Sequence, residues 1–246
     1  MQWQDEGIVL GARRHGETSV ILELMTHARG RHAGLLRGGR SLRMQPILQA
    51  GNSVAAVWNG RIEGQLGQYR VEGLVSRAGR YLDSPLALNG LGLLIELLRL
   101  LPEHDPHPAL YEASLVLLEH LEEPEIAPVL LVRFELAILS VLGFALELTE
   151  CAVTGSTQEL IYVSPRTGRA VSRRAGESYR DRLLRLPAFL RDSGDGQGFM
   201  AGAGHPGREA VQAGFALTGH FLARNLFNPR EKPLPDARMR FLALIQ

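Results

Sequence analysis

Cysteine is almost absent, with Cys151 the single one in 246 residues. That excludes a disulfide framework within the chain. A zinc site built on Cys151 would need three further ligands, and its neighbourhood offers none at the usual spacing. Lysine is as scarce: of 27 basic residues only Lys232 is lysine, and it stands in Glu231-Lys232-Pro233. No phosphate-loop motif can be built on it, and no Gly-x-Ser-x-Gly elbow is present. The basic surfaces are therefore guanidinium surfaces, able to stack and to make bidentate contacts. No apolar run approaches ~20 residues and no charged-then-apolar leader opens the chain. Neither a membrane span nor a signal peptide is expected, and the cytoplasm is the predicted location.

The net charge of +1 is informative only when divided along the chain. Residues 1–80 carry 11 basic and 6 acidic side chains, a balance of +5. Residues 81–150 carry 2 and 12, a balance of −10, and residues 151–246 carry 14 and 8, a balance of +6. A polyanion-binding end, an acidic middle and a second basic end follow from that alternation.

Residues 1–80 read as short strands. Gly7 to Ala12 and Ser19 to Met25 flank the polar turn Arg13-Arg14-His15-Gly16-Glu17, and Asn52 to Trp58 and Gln65 to Val75 follow later. Between them, Arg29 to Arg43 holds Arg29, Arg31, Arg37, Arg40 and Arg43 with no acidic residue. Gly30 to Leu36 alternates as a strand, with Arg31, Ala33 and Leu35 on one face and His32, Gly34 and Leu36 on the other. Gly38-Gly39 marks a turn. A strand delivering guanidiniums into a tight loop suits phosphate oxygens; the plainer reading is a solvated surface loop. Five short strands in about 75 residues fit a small barrel, and a five-stranded OB-type barrel, which binds oligonucleotides, is the best-sized candidate.

Near Ser84-Pro85 the period changes to helical. Leu86 to Leu101 and Pro106 to Leu121 form the first two helices. Glu125 to Leu142 is apolar nearly all round and reads as the centre of a bundle, capped by Gly143. Arg133 stands inside that helix. It is either one half of an internal ion pair, with Glu135 or Glu96, or a pocket for a partner's carboxylate. Further on, Leu160 to Val163, the turn Ser164 to Gly168 and Arg169 to Arg174 predict a small β-hairpin with a basic rim. Gly194 to Gly207 reads as a mobile loop, Arg208 to Phe227 as a last long helix, and Pro233 to Gln246 as a tail folding over it.

Other chemistry is weakly signalled. Gly202-Ala203-Gly204-His205-Pro206-Gly207 matches the dinucleotide fingerprint as a string, but no strand precedes it. His104 and His107 are separated by Pro106, and His27 and His32, flanking a turn, read as surface groups. No catalytic residue, metal site or cofactor is expected, so the protein is not expected to be an enzyme.

The order of these parts resembles the RecO family of bacterial recombination mediators. The resemblance rests on Glu6-Gly7-Ile8-Val9-Leu10, Gly30 to Gly39, Arg133-Phe134-Glu135-Leu136 leading to Leu142-Gly143-Phe144, and Cys151-x-x-Thr154-Gly155 with Tyr162-Val163-Ser164-Pro165 and Gly168. It implies an α+β architecture: an N-terminal OB-type barrel (1–80), a helical bundle (81–150 and 178–246) and an inserted zinc-finger-like hairpin module (151–177). Zinc-binding members carry four cysteines here, whereas this chain keeps Cys151 alone, with Thr154 and Ser172 where cysteines would fall. The implied role is to bind single- and double-stranded DNA, anneal complementary strands and, with RecR and RecF, load RecA onto DNA coated by single-strand-binding protein. That places it at the nucleoid. Arg13, Arg14, Arg29, Arg31, Arg37, Arg40, Arg43, Arg169, Arg173 and Arg174 are the DNA-binding candidates. Arg133 is the candidate for the acidic tail of single-strand-binding protein. The alternative is an RNA-binding OB protein with a helical assembly domain.

Overall fold

The computed structural model describes residues 1–61, 66–194 and 206–245. The chain divides into two compact units, Met1–Glu122 and Glu123–Gln246.

In the first unit, β1 (Gln2–His15), β2 (Ser19–Thr26), β3 (Gly30–Leu36), β4 (Ser53–Asn59) and β5 (Gly67–Val75) form a closed barrel in the order β1-β2-β3-β5-β4. All neighbours are antiparallel except β3 and β5, which run parallel over Gly34–Leu36 and Gly67–Tyr69. The period-2 alternation expected of Gly30 to Leu36 is present, with His32, Gly34 and Leu36 buried. Val9, Val20, Leu22, Leu24, Leu36, Val54, Ala56, Trp58 and Tyr69 fill the interior. Burying such apolar side chains is worth ~1.5–3 kcal/mol each. β1 is longer than its apolar run predicts: Arg13, Arg14 and His15 belong to the strand, and Gly16–Thr18 alone make the turn. Gly30, at φ +66°, needs its glycine twice over. The backbone is left-handed there, and a Cβ would run into the Asp105 carbonyl.

Three helices complete this unit: the single turn α1 (Ala78–Tyr81), α2 (Pro85–Leu98) and α3 (Pro108–His120). α2 starts where Ser84 accepts a hydrogen bond from the Ala87 N–H and Pro85 takes the first turn. Arg77, 4% exposed, ties the helices to the barrel. Its guanidinium donates to Glu119 (2.7 Å) and to the Ser53 hydroxyl (2.8 Å). Asn52 accepts from the Arg77 and Ala78 N–H groups at 2.8 and 3.0 Å. Hydrogen bonds from Arg77 hold Glu119 below the usual carboxylate range.

In the second unit, α4 (Ala127–Val141) is buried along most of its length, as its composition requires, and ends at Gly143 with φ +86°. A three-stranded sheet follows, ordered β7 (Ala170–Ser172), β6 (Leu160–Val163), β8 (Leu184–Arg185), with the short α5 (Arg173–Gly176) between β7 and β8. α6 (Arg208–Leu222) runs into a π-helical turn, Ala223–Phe227, and α7 (Asp236–Leu244) closes the unit. Of the tail's apolar residues Phe241 is buried, while Met239 and Leu244 are exposed. The expected loop Gly194 to Gly207 lies almost wholly outside the described residues.

A buried pair joins three helices here. Glu135 of α4 accepts from Arg238 of α7 at 2.7 and 3.2 Å and from the Thr218 hydroxyl of α6. Arg238 also donates to the Phe215 carbonyl at 2.7 Å. The hairpin expected around Ser164–Gly168 is present and stands on the π-helical turn after α6, where Arg224 donates to the Pro165 and Arg166 carbonyls at 2.6 and 2.8 Å. In place of a metal cluster, buried Cys151 accepts from the Ser172 N–H at 3.3 Å. Burial raises its thiol, but hydrogen bonds from Ser172 and Thr154 outweigh that and bring it down to about 6. Among the described residues no three His, Cys, Asp or Glu side chains are grouped to hold a metal ion. No described helix is long and apolar enough to cross a membrane.

Candidate nucleic-acid interface

The barrel separates the arginines of Arg29–Arg43 into two groups. Arg29 and Arg31 lie at one end of β3 and Arg37, Arg40 and Arg43 beyond the other, about 20 Å apart along a seven-residue strand. At the far end, Leu36 is paired with Val20 and Val20 with Arg14, so one row of the sheet brings β1, β2 and the start of the arginine loop together. The loop is locked there. The Arg40 N–H donates to the Thr18 carbonyl at 3.1 Å, and its guanidinium donates to the Gly16 and Glu17 carbonyls at 3.2 and 2.5 Å. Gly38 takes φ +69°, and Gly39 packs on Val20, where a Cβ would stand 2.5 Å from a methyl group.

The result is one basic edge. Arg13, Arg14, Arg37 and Arg43 are exposed and make no ion pair with a described residue, and Arg40 positions the loop between them. Four guanidiniums that no described residue pairs thus stand on adjoining strands and turns, a positive edge whose donors have the geometry that suits phosphate oxygens.

The remaining candidates are placed differently. Arg31 is drawn onto the barrel wall: it donates to Glu23 (2.9 Å), Glu103 (3.1 Å) and the Leu101 carbonyl (3.1 Å), and Glu23 also accepts from Arg99. Arg29 lies over the Trp3 ring at 5.9 Å. In the second unit Arg169 is paired with Glu147 at 2.7 Å and Arg173 with Glu159 at 3.3 Å, while Arg174 is exposed.

His32 corrects an expectation. It is 1% exposed, inside the barrel and not on its surface. Trp3 stacks on Trp58 at 5.7 Å, and His32 meets Trp3, Trp58, Tyr69 and His104 edge-on. Tyr69 and the His32 Nδ1 share a 2.8 Å hydrogen bond. Burial pushes the Tyr69 phenol well above its ordinary range, so it stays protonated. Burial, then His104 and Arg29, pull the imidazole down to about 4. His27, by contrast, is exposed and 3.7 Å from Glu112. The dinucleotide-like string falls outside the described residues except for Pro206 and Gly207.

Arg133 is 5% exposed. Neither expected ion pair involves it: Glu135 is bound to Arg238, and Glu96 lies beside Arg99 at 3.5 Å. Its guanidinium donates to the Phe189 carbonyl at 3.1 Å. Arg133→Ala is therefore expected to cost ~1–3 kcal/mol, because a buried carbonyl loses a charged donor. Urea unfolding of the variant checks this, and an unchanged midpoint would show that the bond is dispensable.

Comparison with known proteins places the chain among DNA repair and recombination proteins. Residues 1–77 match the family model described as recombination protein O N terminal, and residues 83–234 match recombination protein O C terminal. The DNA repair protein RecO of Methylorubrum populi is 58% identical over 245 residues, covering 99% of this chain and 98% of its own. That of Methylobacterium nodulans is 58% identical over 246 residues, with 99% and 98% covered. That of Agrobacterium fabrum is 54% identical over 230 residues, with 94% and 87% covered. The chain belongs to the RecO family.

Proposed function

We propose that the protein is a non-enzymatic mediator of recombinational DNA repair whose barrel is of the OB type. It binds single- and double-stranded DNA, anneals complementary strands and, together with RecR, helps load RecA onto DNA coated with single-strand-binding protein in the cytoplasm, at the nucleoid. The observation that carries the DNA-binding part is the basic edge of Arg13, Arg14, Arg37 and Arg43. Annealing and RecA loading rest on family membership alone. Arg133 is the proposed counter-charge for the carboxylate of the single-strand-binding protein's tail. Its burial means that the tail must enter between covering side chains to reach it. In domain terms, residues 1–80 are the proposed nucleic-acid-binding domain, 81–150 and 178–246 a helical domain, and 151–177 a zinc-finger-like hairpin module without its metal ligands.

Each phosphate contact on a single strand contributes about −0.7 to the log–log slope of affinity against salt. Replacing Arg13, Arg37 and Arg43 by alanine is expected to reduce the magnitude of that slope by about two and to weaken unrelated sequences alike. Arg40 is left in place because it holds the loop. A folded triple variant with wild-type slope would refute the assignment. Equal affinity for RNA and single-stranded DNA of one sequence would favour an RNA-binding role instead.

A further inference from the structure

The second unit holds an open groove of about 670 Å³ between the small sheet and the start of α6. Ile161, Leu186, Pro187, Ala210 and Ala213 make an apolar floor, and Arg173, Arg185 and Arg208 stand around it with Tyr162 and one acid, Glu209. The ladder sets Tyr162 directly opposite Arg185, so ring and guanidinium are neighbours on one face of the sheet. Gly176 packs close to that ring, where a Cβ would stand 2.6 Å from it. Arg185 and Arg208 are exposed and make no ion pair or hydrogen bond with a described residue. Arg173 is the one paired cation, with Glu159.

We infer that this groove is a second binding site for single-stranded nucleic acid, separate from the barrel edge. A ring beside a guanidinium that no described residue pairs, over an apolar floor, offers a base face a platform and its phosphate a cation, the combination by which proteins hold single strands without reading sequence. A duplex presents only its phosphates to such a groove and leaves the floor bare. Arg174 and Arg182 are exposed along the same 173–185 segment and unpaired with any described residue, which matches a continuing polyanion better than a single peptide carboxylate. The inference rests on the reading that the protein handles DNA, and it deepens it. With one strand on the barrel edge and another in this groove, each compact unit holds one partner of an annealing pair.

The test uses the full chain and a short oligodeoxythymidylate, some of its bases replaced by bromodeoxyuridine. Irradiation is expected to crosslink the strand to the peptide bearing Tyr162. Arg185→Ala with Arg208→Ala is expected to abolish that crosslink, to reduce the magnitude of the salt slope by about 1.4, and to slow annealing of complementary strands by about tenfold through loss of the second contact. A barrel variant lacking Arg13, Arg37 and Arg43 should keep the crosslink. If the groove variant retains wild-type slope and annealing while the barrel variant loses affinity, the groove proposal falls and the DNA-binding reading stands. If neither variant loses affinity, both fall. If the groove variant loses binding of an acidic peptide but not of the oligonucleotide, the groove is a peptide site and the proposal is wrong.

Discussion

Arg238→Ala is expected to destabilise the protein by ~3–5 kcal/mol, the cost of leaving a buried carboxylate without its counter-charge. Glu135 is fully buried and Arg238 is 4% exposed. Removing the arginine strips Glu135 of two charge-assisted bonds, leaves the Phe215 carbonyl without its donor, and opens a void where Arg238 lies over the Phe215 ring. Three helices meet at this pair, so relaxation at one of them cannot restore the contacts. Glu135→Leu combined with Arg238→Met should be far milder than Arg238→Ala alone. An apolar pair of similar volume removes the desolvation cost together with the attraction. Urea unfolding of the two variants measures the difference. A single variant losing under ~1 kcal/mol would mean that solvent reaches Glu135 readily.

Acid should weaken the barrel through His32. Above pH 6.5 the imidazole is neutral in both the folded and the unfolded chain. Below 6.5 the unfolded chain takes up a proton that the folded barrel refuses until about 4. Stability is therefore full above 6.5 and falls as pH drops from 6.5 towards 4, by on the order of 3 kcal/mol from this group. Other carboxylates and histidines also titrate in that interval, so the comparison must be internal. His32→Gln, which keeps a polar partner for Tyr69, should lose less stability between pH 7 and pH 4.5 than the parent does. Parallel curves for the two proteins would remove His32 as the cause.

Local pattern carried much of the fold. Alternation in Gly30–Leu36 and the near-continuous apolar face of Ala127–Val141 are set by neighbours in sequence, and both elements formed as expected. His32 was misjudged, and the ion pairs of Arg31 went unforeseen, for one shared reason. What surrounds them comes from far along the chain: Tyr69 and Trp58 close over His32, and Glu103 reaches Arg31 from 72 residues away. Alternation shows which face a residue takes but not what covers that face. Arg133 and Glu135 were more legible than they were taken to be. Residues two apart on a helix point to opposite sides, so they could not pair, and each buried charge implied a partner of its own. Pairing of Tyr162 with Arg185 depends on β8, a two-residue strand too short to leave a pattern.

The clasp formed by Asn52 and Arg77 has a consequence for how this protein can be cut. Arg77 is the last residue of the matched N-terminal segment, yet its carboxylate partner Glu119 lies 42 residues further on, and Arg80 reaches Glu122 beyond that. A fragment ended just after the barrel would keep the buried guanidinium and discard its counter-ion. The portable piece, the one that could be expressed alone, swapped into a chimera or released intact by limited proteolysis, therefore runs to residue 122. A protease should find its productive site after that clasp and not in the stretch between strand and helix.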